Sequence, residues 1–563
     1  MCWKSYNSES HTRQGILRLA PSLRAIQKGG SPKMNFRRTS HLSVIVSLVS
    51  VFFVALVCYA AYNHQGDTDS AVFRAVYPSA VGTKLDSCTT CHSGGSYTPP
   101  GGKLTTLGSC QWCHYVTNYG QDLSDATLLK TLNSYGLAYK NNGRNAAALQ
   151  AISIQDSDGD GFSNQAEIAK LTYPGDKSDD PTKVAAPSRV ISLKELEKMP
   201  RHKQFLLMNA SKSDDAYTKY SGVALENLVK AIMLDSAKDI TVYSPDGFAT
   251  YHPFEPSTNA NSYHVFGVYP EGTFYYDERA DIAVYPPDPP DYANGGWCNY
   301  SSPWAVVCGS DGQGTRHKGH SFHCGPFGHW HDHYKCRENG SVIFNPEGLK
   351  MLLAFKRDGE YLDPGVLNSE NKLDGEGPFR VVPPQKKPGS PDQRSTSTNQ
   401  NVVWPYDKNA DHNAGFSSRT VTMIKVMPLP PGTTDINTME AGWPYVDEKK
   451  IVIYGSIEPY PLDKLERGLD SLIDTIQAQE DAAFKVKSSK KALVNKVEAI
   501  KKQVARGAYL TALEKLKEDV LKKTDGCLSG AVDANDWVKD LDVQQELCSQ
   551  IQKIWIMLVL VGA

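Results

Sequence analysis

Residues 88–114 read CTTCHSGGSYTPPGGKLTTLGSCQWCH, a stretch opened by Cys88-Thr-Thr-Cys91-His92 and closed by Cys110-Gln-Trp-Cys113-His114. In a C-x-x-C-H unit the two thiols bond the vinyl carbons of a haem and the adjacent imidazole takes its iron. The expectation is two covalent haems, with Cys88, Cys91, Cys110 and Cys113 as attachment points and His92 and His114 as proximal ligands. With 12 Cys and 15 His among 563 residues, composition alone would give roughly 0.007 such matches. The alternative is a zinc ribbon, since paired C-x-x-C units also hold Zn²⁺ through four thiolates. The histidine directly after each pair argues for haem. The short interval between the motifs places the two haems close together, which suits electron transfer between them.

Downstream, Asp156-Ser-Asp158-Gly-Asp160-Gly161-Phe162-Ser-Asn164-Gln-Ala-Glu167 fits D-x-[DN]-x-[DN]-G-x5-E at every specified position. Asp156, Asp158 and Asp160 would point at one hard cation. Phe162 would offer its carbonyl, Asn164 a further oxygen, and Glu167 both carboxylate oxygens. One Ca²⁺ is expected, in an isolated loop, because Ser163 stands where paired EF-hand loops carry an aliphatic residue. The alternative is a solvated acidic turn. Apolar helical patterns flank the loop (Leu128, Leu129, Leu132 and 146–152 before it, Ala166, Ile168 and Leu171 after it), so the ion would serve structure rather than signalling.

Distal iron ligands are scarce nearby, because between Gln65 and Met199 the only histidines are His92 and His114 and there is no methionine. Candidates are His64, Met199, His202, Met208 and a cluster farther on. That cluster is part of an insertion with Cys298 and Cys308, then His317, His320, His323, Cys324, His329, His331, His333 and Cys336. On a strand His329, His331 and His333 share one face. They suit haem ligation or a separate zinc or copper site; otherwise they are surface histidines in a loop stapled by Cys298–Cys308 and Cys324–Cys336.

A length of 563 residues predicts several domains. Net charge is −2, from 60 Lys+Arg and 62 Asp+Glu, which excludes nucleic-acid binding by bulk charge. Residues 1–33 form an N-terminal extension of undetermined role. Residues 34–64 read as a signal peptide or a single membrane anchor: Lys33, Arg37 and Arg38 precede the uncharged run Leu42 to Tyr62, long enough to span a hydrocarbon core. The rest of the chain is expected outside the cytoplasm, periplasmic, at the outer surface or extracellular.

From residue 189 to 460 the pattern becomes β: short Val-, Ile-, Tyr- and Phe-rich runs between Gly, Pro, Asn and Asp. Four segments occur in order: Tyr220-Ser-Gly-Val223 continuing to Ile232, Ile240 to Phe248 with Asp246-Gly247, Leu352 to Glu360, and Gly375-Glu376-Gly377-Pro378-Phe379-Arg380. Together they resemble the molybdopterin-binding domain of the sulfite oxidase superfamily. That resemblance implies a short helix after Tyr-x-Gly-Val, a strand before Asp-Gly-Phe and a strand from the Gly-x-Pro-x-Arg element. The family's active enzymes hold molybdenum through a cysteine shortly upstream of Tyr-x-Gly-Val, and Ser192 to Lys219 contain none. With the paired haem motifs, Gly375 to Pro378 makes the chain resemble dihaem c-type cytochromes carrying a Gly-Glu-Gly-Pro motif. In c-type cytochromes covalent haem attachment takes place outside the cytoplasm, in keeping with the leader. Gln385 to Asn401 reads as a mobile polar loop without chemistry.

After residue 461 the period turns helical (Leu465, Leu469, Leu472, Ile473, Ile476; Leu493, Val497, Ile500, Val504; Leu510, Leu513, Leu516, Val520). A helical hairpin or three-helix bundle is expected, closed by a Cys527–Cys548 pair. Lys485, Lys487, Lys490, Lys491, Lys496, Lys501 and Lys502 would line it as a docking surface or a solvated face.

The fold class expected is multidomain α+β: a small, mostly helical dihaem and calcium-loop domain at 65–188, a mainly β sulfite oxidase-like domain at 189–460, and an α-helical bundle at 461–563. The function expected is one-electron transfer by an exported dihaem c-type cytochrome with two haem c and one Ca²⁺, its partners other redox proteins such as cytochromes, rather than catalysis. The alternatives are a haem-linked oxidoreductase whose central domain binds molybdopterin or another metal, and a surface binding module in which haem is structural.

Overall fold

The computed structural model describes residues 68–93, 95–97, 105–107, 131–211, 215–258, 262–275, 342–368, 373–392, 406–436 and 441–562, all within one compact unit, Cys58–Ala563. The leader segment, His64, Cys110, Cys113, His114 and the whole insertion with Cys298, Cys308, His320, His323, Cys324, His329, His331, His333 and Cys336 lie outside the described residues.

Four short helices build the N-terminal part: α1 (Thr68–Val76), α2 (Ser134–Asn141), α3 (Ala146–Ile152) and α4 (Asn164–Lys170). Asparagine starts two of them and serine a third. Asn133, Asn145 and Ser163 each accept a backbone N–H from the first turn, a cap worth about 1 kcal/mol. Their apolar faces close a small core of Phe73, Leu85, Tyr135, Tyr139, Leu149, Ile152, Ile168 and Tyr173.

Among the described residues the central part carries two five-stranded sheets. Their strands, with two of the helices between them, are in chain order β1 (Ser188–Ser192), α5 (Leu193–Lys198), β2 (His202–Met208), β3 (Ala216–Ala224), α6 (Leu225–Ile232), β4 (Asp239–Tyr243), β5 (Ala249–Pro253), β6 (Leu352–Arg357), β7 (Glu360–Tyr361), β8 (Arg380–Val382), β9 (Met423–Met427) and β10 (Lys450–Gly455). One sheet is antiparallel, in the order β7-β6-β3-β2 with β8 also on β6. The other runs β1-β10-β9-β4-β5, antiparallel except where β9 pairs parallel with β10. Helix α6 follows Tyr220-Ser-Gly-Val223, β4 precedes Asp246-Gly247-Phe248, and β8 starts at Arg380. Gly222 is required by close packing, because a Cβ there would sit 2.0 Å from the Leu353 carbonyl oxygen.

The C-terminal helices α7 (Leu462–Ala478), α8 (Lys487–Val504), α9 (Tyr509–Lys515) and α10 (Leu541–Gly562) pack successively on one another, and α10 returns to lie against α7 and α6. One core runs through both regions, from Leu228, Phe355 and Phe379 to Leu469, Val497, Leu516 and Ile554. The boundary expected at residue 460 is therefore crossed by continuous packing. Residues 554–561, an apolar run too short to span a bilayer, bury most of their side chains in this core. No described helix is long and apolar enough to cross a membrane. Cys527 and Cys548 form a disulfide.

Four lysines of the lysine-rich face carry surface ion pairs: Lys487 and Lys490 reach Asp481 at 3.1 and 3.7 Å, Lys496 reaches Asp519 at 2.8 Å, and Lys501 pairs with Asp470. The described half of the polar loop is built into the central part rather than mobile. The amide of Gln385 donates to the Asp411 carbonyl, and buried Asp392 pairs with His412 at 2.9 Å.

Candidate haem and calcium sites

Cys88–Thr90 forms a single 3-10 turn in which the backbone N–H groups of Cys91 and His92 both donate to the Cys88 carbonyl. Such a turn sets Cys88, Cys91 and His92 on neighbouring positions at the edge of the small core. All three are half-buried, and Cys91 packs against the core residues.

The segment that holds this turn comes from beyond the second motif. His92 bridges antiparallel to Leu132, Ser93 N–H donates to the Thr131 carbonyl, and Asn133 N–H donates to the Cys91 carbonyl. Asn133 serves both sides: its Oδ1 caps α2 at Gly136 N–H, while its Nδ2 donates to the carbonyls of Thr89 and Thr90 at 3.2 and 3.1 Å. The His92 ring is oriented by Nδ1, 2.7 Å from the hydroxyl of Thr131, which is 1% exposed. An imidazole held at Nδ1 presents Nε2 to a metal, the arrangement that fixes tautomer and ring plane at iron and zinc centres. The donor set of Cys88, Cys91 and His92 therefore fits a covalently held haem. A short antiparallel pair, Gly95–Tyr97 with Thr105–Leu107, begins the excursion toward the second motif.

Downstream candidates for distal ligation are used elsewhere. Met199 and Met208 lie in the large core. His202 is 3% exposed, with Nε2 3.1 Å from Gln204 and Nδ1 3.6 Å from Glu347. Burial within β2 and its neighbours corrects the expectation that these residues are available to iron.

Helix α3, the acidic loop and α4 continue from the haem turn on the same core. Asp156 folds the loop by accepting from the N–H groups of Gly159, Asp160 and Gly161 at 2.7 to 3.2 Å. Those bonds, that of Gly161 first, hold its carboxyl below the usual range. Gly159 and Gly161 take positive φ, 77° and 101°, which let the chain reverse. Ligand oxygens of Asp156, Asp158 and Asp160 lie within 4.8 Å of one another. Glu167, on α4, is 0% exposed, and neither carboxylate oxygen has a hydrogen-bond partner; the same holds for one oxygen each of Asp158 and Asp160.

Burial, then the charges of Asp158, Asp160 and Asp156, pushes the Glu167 carboxyl up to about 9. Burial and Asp160 raise Asp158 to about 6. Buried carboxylates are normally paired or bound to a metal, and oxygen donors of this kind are those a hard cation takes. The described residues thus fit Ca²⁺ through Asp156, Asp158, Asp160 and Glu167, with the Phe162 carbonyl as the expected backbone oxygen.

Asn164 Nδ2 donates to the Ile152 carbonyl and to Ser157 Oγ at 2.7 and 2.9 Å, and its Oδ1 accepts from Ser157 N–H. The side chain braces α3 against the loop.

A buried ion pair inside the N-terminal part is joined to the central part through Thr434. Lys84 Nζ lies 2.8 Å from Asp179 and 2.7 Å from Thr434 Oγ1, and Thr434 also donates to Asp179. In the central part, Tyr220 and the Gly-Glu-Gly-Pro segment meet. Arg380 donates to Tyr220 Oη at 2.8 Å and pairs with Glu376, which Arg357 also reaches at 3.3 Å. Burial alone would raise the Glu376 carboxyl, but Arg380 and Arg357 hold it below its ordinary value. Gly377 is dictated by proximity, since a Cβ would fall 2.5 Å from the Leu362 carbonyl oxygen.

Thr131, Asn133 and Gly136 were not singled out in the sequence. An Asn-Ser start to a helical pattern is the one signal that could have found Asn133. Comparison of the chain with protein-family models, with curated proteins and with solved structures finds no match in any of the three.

Proposed function

We propose that this chain is an exported dihaem c-type cytochrome that carries single electrons, with Ca²⁺ stiffening the support of its haem domain. The observation that carries the reading is the turn Cys88–His92, whose imidazole is oriented through Nδ1 by Thr131 and whose backbone is clamped by Asn133. Haem attached there supplies a reversible one-electron couple. The protein's own part is to hold the His92 ring plane through Thr131, to fix the spacing of Cys88 and Cys91 through the turn, and to brace that turn on α2. The calcium loop supports the same reading mechanically, because Ile152 and Ile168 on either side of it belong to the core against which Cys91 packs. The Cys110–His114 unit repeats the chemistry in sequence.

The test is a pyridine haemochrome count on the exported chain, with metal analysis and an anaerobic redox titration. Two haems that titrate reversibly, falling to one in Cys88→Ala/Cys91→Ala, are expected. A folded, exported chain without haem would overturn the reading. Stoichiometric molybdenum would move it to a haem-linked oxidoreductase, and haem that does not titrate to a structural role.

A further inference from the structure

The C-terminal part carries a second constellation of oxygens. Asp525, Asp533 and Asp536 bring carboxylate oxygens within 4.8 Å of one another, in the turn that follows α9 and precedes α10. Asp536 is fully buried, Asp525 partly, and Asp533 is exposed. Among the described residues no lysine, arginine or histidine forms an ion pair with any of the three carboxylates; Lys485 Nζ meets Asp533 only at its backbone carbonyl, to which it donates at 3.4 Å. An acidic turn alone is common on protein surfaces.

What distinguishes this one is Gln544, on the first turn of α10. Its side chain is 0% exposed; Nε2 donates to the Val538 carbonyl at 2.7 Å, and Oε1 has no partner. That oxygen faces the acidic turn. A Cβ placed on Gly526 would lie 2.4 Å from Gln544 Oε1, 2.8 Å from the Ala531 carbonyl oxygen and 3.0 Å from Asp536 Oδ2. Three oxygens from separate parts of the chain thus converge where only glycine leaves room. An unpartnered buried amide oxygen costs about 1–3 kcal/mol, and a cation removes that cost along with the repulsion among the carboxylates. The Cys527–Cys548 disulfide holds the two halves together: Cys527 is next to Gly526, and Cys548 lies one turn along α10 from Gln544.

We propose that Asp525, Asp533, Asp536 and Gln544 form a second divalent-cation site, of the hard, oxygen-ligated class that takes Ca²⁺. The donor set is entirely oxygen, which excludes softer zinc or copper preferences. The site ties α10 to the turn and is independent of the loop at 156–167.

Equilibrium dialysis of the full chain against Ca²⁺, with elemental analysis, tests it. Two Ca²⁺ per chain are expected, one remaining in Glu167→Gln and one in Asp525→Asn/Asp533→Asn. Gln544→Leu, which keeps the volume and removes the oxygen, should weaken that second ion at least tenfold and guards against a double variant that fails to fold. Trp537, adjacent to Asp536, supplies a separate readout: tryptophan-sensitised Tb³⁺ luminescence should persist in Glu167→Gln and fall in Asp525→Asn/Asp533→Asn. A single Ca²⁺ that disappears in Glu167→Gln, or two that survive Asp525→Asn/Asp533→Asn, overturns the proposal. A single Ca²⁺ that survives Glu167→Gln and is lost at Asp525 and Asp533 upholds it and removes the loop site instead.

Discussion

Gly136 packs on Cys91 so closely that a Cβ at this position would lie 2.1 Å from the Cys91 carbonyl oxygen. Backbone meets backbone there, so relief requires α2 or the haem turn to move. In an exposed helix Gly→Ala gains about 1 kcal/mol of propensity. Here overpacking, about 1–3 kcal/mol, opposes and outweighs it. Gly136→Ala should lower the melting temperature and reduce haem at the first motif, read by thermal denaturation and haemochrome count; a variant as stable and as fully loaded as the parent would refute the contact.

Thr131 accepts from His92 Nδ1 when Nε2 is committed to a metal. Without that acceptor the imidazole donates less electron density to iron, and the reduced state gains relative to the oxidised one. Thr131→Val should raise one reduction potential by about 20–60 mV, the equivalent of a hydrogen bond of about 0.5–1.4 kcal/mol. Thr131→Ser should restore it. Spectroelectrochemical titration resolves the shift, and an unchanged pair of potentials would remove Thr131 from the iron's surroundings.

Glu167 supplies a pH dependence whose sign follows from its carboxyl, raised from 4.5 to about 9. Across that interval the folded, calcium-free protein retains a proton that the unfolded chain has released. Its contribution is therefore fully present below pH 4.5 and lost as pH rises toward 9. Melting in a chelator should show stability declining over this window, and Glu167→Gln should flatten it. Since Ca²⁺ requires the carboxylate, binding near neutral pH should release protons, which calorimetry in buffers of different ionisation enthalpy measures directly.

Lys84 and Asp179 are buried together, 3% and 5% exposed, and share Thr434. Asp179→Ala leaves an ammonium buried without its carboxylate, at a cost of about 3–5 kcal/mol. Replacing both, as Lys84→Met/Asp179→Leu, should recover most of that loss. Denaturant unfolding of Lys84→Met, Asp179→Leu and the double closes the cycle; singles within about 0.5 kcal/mol of the parent would show that this pair, and the Thr434 contact it shares, is energetically idle.

Legibility varied by site. The reversal of the acidic loop was readable, because a tight turn is a local property, and Gly159 and Gly161 take the positive φ that the pattern implies. What the pattern did not show is that the Asn164 amide also reaches the Ile152 carbonyl, twelve residues back. The Cys88–His92 turn was readable as a motif, but not its supports: Thr131 and Asn133 stand about forty residues from the His92 ring and the Thr90 carbonyl that they contact.

The sequence alone determined the local patterns: two C-x-x-C-H units, the acidic spacing of 156–167, and the change from strand to helix period near residue 461. These follow from covalent spacing and periodicity, which act over a few residues. Only the tertiary structure decided that the C-terminal helices share a core with the sheets, that Lys84 answers Asp179 and Thr434, and that Gln544 brings an unpartnered oxygen to Asp525, Asp533 and Asp536. Burial and convergence of charge depend on residues distant in the chain, and no local pattern encodes which of them will meet.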